Sequence, residues 1–131
     1  MKKLSIKTDG LTSIIEITVH LREYLETNEF EDGILTIFVP HTTAGIVINE
    51  NADSTVKDDI EYKLKDLVPV NDNYKHLEGN SHAHIKSCLF GSSETIIVEN
   101  NKLVLGRWQG IYLCDFDGPR QRDVYLKFIK S

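Results

Sequence analysis

Short runs of β-branched and aromatic residues, each cut off by a turn-forming residue, recur along most of the chain. This feature constrains the fold more than any other. Such runs are short for helices and suit a pleated, half-buried surface. Ile15, Ile17 and Val19 alternate with Glu16 and Thr18, the period of two expected when one face of a strand is buried. Ile34 to Val39 stops at Pro40, and Ile46-Val47-Ile48 follows after a short break. Leu4 to Lys7, His84 to Leu89, Thr95 to Val98, Ile111 to Phe116 and Val124 to Ile129 are read as further strands. Gly91, Asn100-Asn101, Gly106 and Gly118-Pro119 supply turns between them.

Two segments have helical spacing instead. His20 to Thr27 places Leu21 and Leu25 four apart. The segment from about Asp53 to Leu67 places Val56, Ile60, Leu64 and Leu67 on one stripe. Asp53 or Ser54 can cap its first turn, Glu61 and Lys65 form a favourable i, i+4 pair, and Pro69 stops it. The expected order is β-β-α-β-β-α followed by several strands. Helices that do not alternate one by one with strands argue against a doubly wound parallel sheet and for an α+β fold with mostly antiparallel sheet and two helices. At 131 residues, without repeat or linker, the chain is expected to form one domain over 1–131.

Charge narrows the function. Fifteen Lys+Arg against twenty Asp+Glu leave a net charge of −5, which excludes non-specific nucleic-acid binding through clustered cations. No apolar run approaches the ~20 residues of a membrane span, so no membrane partner is expected. The Lys2-Lys3 start lacks a following apolar stretch of signal-peptide length, so a cytoplasmic protein is expected. Cys88 and Cys114 are then read as reduced thiols on half-buried strands, since no CxxC spacing marks a redox pair.

The chemistry-bearing residues fall into a few clusters. His76, His82 and His84 lie within nine residues, and His82 and His84 would share a strand face with Lys86. Neutral imidazoles are common ligands for zinc and other transition metals; the alternative is a solvated polar face. His41-Thr42-Thr43-Ala44-Gly45 follows Pro40 at a strand end, placed either to meet a ligand or simply to turn. Glu50-Asn51-Ala52-Asp53 precedes a helix whose N-terminus suits phosphate, although its carboxylates would oppose one unless a cation bridged them; plain capping by Asp53 is the other reading. Trp108 and Gln109 lie between Gly106 and Gly110. Arg120 and Arg122, two apart, would present two guanidiniums to one side of a strand, either for phosphate or to balance an acidic surface.

HTTAGIVINENAD (41–53), YKHLEGNSHAHIKSCLFG (74–91) and GRWQGIYLCDFDGPRQR (106–122) together resemble the YjbQ family, also catalogued as the secondary thiamine-phosphate synthase family. The resemblance covers nearly the whole chain. It implies a small α+β domain with a β-sandwich, assembled as a homotrimer, with a histidine cluster that binds a metal near a subunit boundary. It also implies thiamine-phosphate-synthase-type activity, the joining of a pyrimidine pyrophosphate to a thiazole phosphate. His41, His76 and His84 match the family's histidines. Glu78, Gly79 and Asn80 match its EGN, Trp108 and Gln109 its WQ, and Asp117, Gly118, Arg120 and Arg122 its DGPRxR. Arg107, Asp115 and His82 depart from the pattern.

The resulting expectation is a metal-dependent enzyme acting on a small phosphorylated ligand. His41, His76 and His84 would hold a divalent ion, zinc or another transition metal or magnesium. Glu50, Asp53 or Glu78 would orient a histidine or move a proton. Thr42, Asn80, Trp108, Gln109, Arg120 and Arg122 would bind substrate. Metal-dependent phosphate-ester hydrolysis and a non-catalytic ligand-binding or assembly role are the alternatives. Apolar residues on both faces of 111–116 and 124–129 are read as one core face and one subunit-interface face.

Overall fold

Strand alternation is realised most plainly in the middle of the larger of two sheets. The computed structural model describes residues 1–131. Its elements are β1 (Lys2–Lys7), β2 (Ser13–Glu16), α1 (Thr18–Asn28), β3 (Gly33–Phe38), β4 (Ala44–Glu50), α2 (Ser54–Leu67), α3 (Ser81–Phe90), β5 (Ser93–Glu99), β6 (Lys102–Leu103), β7 (Gln109–Asp115) and β8 (Gln121–Lys130). One sheet has the order β1-β8-β3-β5-β6 and the other β2-β7-β4, every pair antiparallel. In β3, Leu35 and Ile37 are buried while Ile34 and Phe38 are exposed. Leu35 lies opposite Ile96 of β5 and Phe128 of β8.

Both sheets and α1 share one cluster of fifteen buried hydrophobic residues, including Leu35 and Ile37 from β3, Ile46 from β4, and Ile111 and Leu113 from β7. Each fully buried side chain of this kind is worth ~1.5–3 kcal/mol, so this cluster is the main tie between the sheets. The fold is α+β with antiparallel sheets, as expected, but it has three helices.

The third helix corrects the sequence reading. His84 to Leu89, expected as a strand, lies inside α3. The inner face of α3 is His82, Ala83, Lys86 and Ser87, all buried, while Ile85, Cys88 and Leu89 point outward. Large apolar residues thus sit on the solvent side and polar ones inside, the reverse of the pattern that announces an amphipathic helix. Cys88 is therefore exposed on a helix, and only Cys114 is a buried strand thiol, its pKa pushed up to about 12 by burial and then by Glu61. The first alternation is also shorter than expected. β2 ends at Glu16, and Val19 sits in the first turn of α1.

The second face of β7 needs no partner subunit. Tyr112, Cys114 and Phe116 pack with Ile14, Leu64 of α2 and Ala83 of α3 in a second buried cluster. Helices α2 and α3 thus form a layer over the smaller sheet that the two-sheet expectation lacks. Asp53 caps α2 as predicted, its Oδ1 accepting the Thr55 N–H (3.0 Å) and Thr55 Oγ1–H (2.7 Å). Gly45 serves close approach, because a Cβ there would lie 2.8 Å from the Gly91 carbonyl oxygen and 3.0 Å from Phe90 Cβ. No helix is long and apolar enough to cross a membrane.

Candidate functional site

Three stretches far apart in sequence line one hollow of about 520 Å³. The β3–β4 connection contributes Pro40, His41, Thr42 and Thr43. The segment entering α3 contributes His76, Glu78 and Asn80, with His84 from the first turn of the helix. The β7–β8 turn contributes Asp117 and Arg120, and β8 contributes Arg122. Ten of the eleven side chains carry a charged or hydrogen-bonding group, Pro40 being the exception, so the hollow suits a polar, charged ligand. A groove of similar size between β1 and α1, lined by Lys2, His20 and Glu23 among others, has no buried polar group to organise a ligand.

The floor of the hollow is a buried ion pair. Arg122 Nη2 donates to Asp115 Oδ1 (2.7 Å) and to Thr43 Oγ1 (2.7 Å), with both charged residues at most 2% exposed. Asp115 Oδ2 accepts from Thr8 Oγ1 (2.7 Å), and Asp115 Oδ1 accepts the Asp117 N–H (3.0 Å). Burial pushes the Asp115 carboxyl up, but hydrogen bonds from Arg122, Thr8 and the Asp117 amide outweigh it and hold the pKa below the ordinary value. Arg122 Nε and Asn80 Oδ1 are buried without partners. Arg120 is half-exposed and turns back on Asp117, donating from Nε to the Asp117 carbonyl (2.9 Å) and from Nη2 to Asp117 Oδ2 (3.2 Å). Asn80 Nδ2 donates to the same carboxylate oxygen (3.0 Å). The two arginines therefore do share one hollow, though Arg120 precedes the strand and Arg122 is sunk beneath it.

The histidines separate by environment. His76 and His84 stand edge to face with ring centroids 5.5 Å apart, and His76 Nε2 lies 3.8 Å from Glu78 Oε2. His41 Nε2 accepts the backbone N–H of Asp123 (2.9 Å). Burial, then the Arg122 cation, lowers the His41 pKa, so the ring is neutral near pH 7. His82 does not share a face with His84, because two residues on a helix diverge by ~200°. It points inward and accepts from Lys86 Nζ at Nδ1 (2.9 Å). Burial, then Lys86, lowers its pKa, and burial, then Lys65, lowers that of Lys86.

Residues 2–131 match the family model described as UPF0047 protein YjbQ-like. The chain belongs to this family. The UPF0047 protein MJ1081 of Methanocaldococcus jannaschii is 52% identical over 127 residues, covering 97% of this chain and 92% of the relative. The UPF0047 protein YugU of Bacillus subtilis is 45% identical over 130 residues, covering 98% of each. A crystal structure of a YjbQ/UPF0047 protein from Clostridium acetobutylicum superposes with a TM-score of 0.95 at 50% identity, covering 98% of this chain and all of that one.

In this UPF0047 chain four expected site residues lie elsewhere. Glu50 ends β4, seven residues along from the Thr43 end, or about 20 Å at strand rise. Its Oε2 accepts the Ala52 N–H (2.9 Å), and Asp53 is occupied in capping α2. Gln109 pairs with Glu50 across β4 and β7, so the Trp108 loop sits at that same far end, with the Arg107 guanidinium 4.6 Å over the indole. Within one chain, then, His41, Thr42, His76, Glu78, Asn80, His84, Arg120 and Arg122 come together, and Glu50, Asp53, Trp108 and Gln109 do not join them. Asp117, Thr43 and Asp115 complete the site without having been assigned roles from sequence. Acids at alternate positions in the otherwise apolar run before Arg120 and Arg122 were the available signal.

A three-imidazole metal centre does not fit this arrangement. No group of three His, Cys, Asp or Glu side chains is placed to hold a metal ion. Catalytic zinc sites use three protein ligands, and one of the expected three, His41, has its Nε2 lone pair committed to a backbone amide.

Proposed function

We propose that this chain is an enzyme acting on a phosphorylated small molecule held in the hollow among His41, His84, Asn80, Arg120 and Arg122. The supporting observation is the entirely non-hydrophobic lining, which brings two guanidiniums and three imidazoles together over a buried ion pair. Arg120, half in solvent, keeps its Asp117 contacts through Nε and Nη2 and would offer Nη1 to the phosphate. His76 and His84, facing each other at the rim, are the groups that move a proton, with Glu78 beside His76 and Thr42 and Asn80 as hydrogen-bonding contacts. The thiamine-phosphate-synthase-type transfer implied by the family resemblance would use the arginines to stabilise departing pyrophosphate. Phosphate-ester hydrolysis would use the same groups with water as acceptor.

Product analysis tests this. Turnover of a single phosphate ester supports hydrolysis, and consumption of paired pyrimidine pyrophosphate and thiazole phosphate supports transfer. Binding with no turnover of either leaves the ligand-binding alternative, and no binding of any phosphorylated compound overturns the reading. His84→Ala is expected to lower turnover about 100-fold or more with the fold retained, the scale of general acid–base catalysis.

The alternative at this rim is a divalent ion on His76 and His84, with water and ligand oxygens completing its shell, in which case the two imidazoles would be ligands and not proton carriers. Metal analysis of tag-free protein, and its loss in His84→Ala, is the check. The homotrimer is likewise proposed. A closed three-fold ring joins two different patches of each copy, and exposed apolar residues offer candidates for both. Ile34, Ile97 and Ile129 stand side by side across β3, β5 and β8 on the face away from the core. Ile85 and Leu89, one turn apart on the outer side of α3, are the candidate for the other.

A further inference from the structure

The geometry points to His41 as an N–H donor to a phosphate oxygen, not a metal ligand: its Nδ1–H and the Arg122 guanidinium form a phosphate seat that fills without a metal ion. This rests on the phosphate reading of the hollow and specifies which wall the anion occupies.

The argument starts at the end of β3. That strand last pairs with β8 at Phe38 and Tyr125, while β8 extends back to Gln121. Beyond Phe38 the side of β8 facing β3 has no strand partner, and the Asp123 N–H finds its acceptor in His41 Nε2 at 2.9 Å. The imidazole thus stands in for a missing strand carbonyl. A neutral imidazole has one N–H and one lone pair. With the Nε2 lone pair accepting an amide proton, the ring proton must be on Nδ1. A metal at Nε2 would strip the Asp123 amide of its acceptor, and a metal at Nδ1 would require removing the proton fixed there. Protonating the ring fully would also break the hydrogen bond from the Asp123 N–H, so the site keeps His41 neutral.

Nδ1–H has no partner in the chain, and His41 lines the hollow. The amide it receives is the one joining Arg122 to Asp123, so the imidazole is held against the stretch of β8 that carries the Arg122 guanidinium. Arg122 is 2% exposed and its Nε–H is buried without a partner. An unpaired buried donor on a clamped guanidinium calls for an arriving acceptor. Two donors of fixed direction, one cationic, suit a tetrahedral oxyanion.

The probe is inorganic pyrophosphate, titrated calorimetrically into the full chain in excess chelator, with long-range proton–nitrogen NMR of the wild-type imidazoles alongside. The expected results are a His41 ring protonated at Nδ1, binding that survives the chelator, and about ten-fold weaker binding in His41→Ala. His41→Asn, whose amide can reach the Nδ1 position, should recover part of the loss. A His41 ring protonated at Nε2, zinc-induced shifts at His41 without pyrophosphate, or unchanged binding in His41→Ala would overturn the inference. The spectrum of the wild type decides the tautomer even if the variants misfold. Binding seen only with added divalent ion would sink the metal-free seat while sparing the phosphate reading. No binding under either condition would sink both.

Discussion

At the scale of single residues, Asp115 and Arg122 matter most because neither can be changed without stranding the other. Their 2.7 Å contact is closed from solvent, so removing one charge leaves the other desolvated and uncompensated. Asp115→Asn keeps the shape and loses the charge, and is expected to cost about 3 kcal/mol in urea unfolding. The folded Asp115 carboxyl lies below its ordinary 3.8, so its contribution is fully present above that value and is lost as pH falls through the lower folded one. Acid unfolding of the wild type below about pH 4 should therefore be steeper than that of Asp115→Asn, which circular dichroism across pH would show. A carboxylate ending a strand was visible in the sequence; that it would be buried against Arg122 was not, because the guanidinium arrives by way of a turn. His82 shows the opposite failure. Its two-residue spacing from His84 suggests a shared ligand face only on a strand, and the helix turns it inward onto Lys86.

At the scale of elements, the strands with one buried and one open face were legible from alternation, and so was α2 from its stripe and cap. Helix α3 was not legible, because its packing surface against β4 is made of small and polar groups. Ala83, Ser87 and Gly45 let helix and strand approach closely, with Ser87 Oγ donating to the Ala44 carbonyl (2.7 Å). Closeness there comes from what the side chains lack, and a periodicity of large apolar residues cannot register it. The helix makes a specific prediction. Ala83→Leu and Gly45→Ala should each destabilise by about 1–3 kcal/mol through overpacking, whereas Ile85→Ala should stay within about 0.5 kcal/mol in the monomer. A strand at the same place would have put residues 84, 86 and 88 inside and left Ala83 tolerant. Chemical denaturation of the three variants reads the difference directly.

At the scale of the whole molecule, the polar groups divide between the two ends of β4 and β7. One end is the hollow around His41 and Arg122; the other carries Glu50, Asp53, Trp108 and Gln109. The three family motifs could be read from the sequence, but which of their residues meet in one chain depended on strand direction, which spacing does not report. Assembly bears on the same division. The exposed Ile34–Ile97–Ile129 row lies at the Gly33 end of β3, six residues along β8 from Asp123, whose amide holds His41. A second copy of this chain is proposed to seat on that row. Ile97→Lys tests this: in a free monomer a lysine at a 55% exposed position costs little, while in a packed interface it buries an unpaired charge. Sedimentation should therefore give about three times 14.9 kDa for the wild type and the single-chain mass for Ile97→Lys. A wild type that sediments at 14.9 kDa at micromolar concentration would remove the trimer and leave the hollow to act with its own eleven residues.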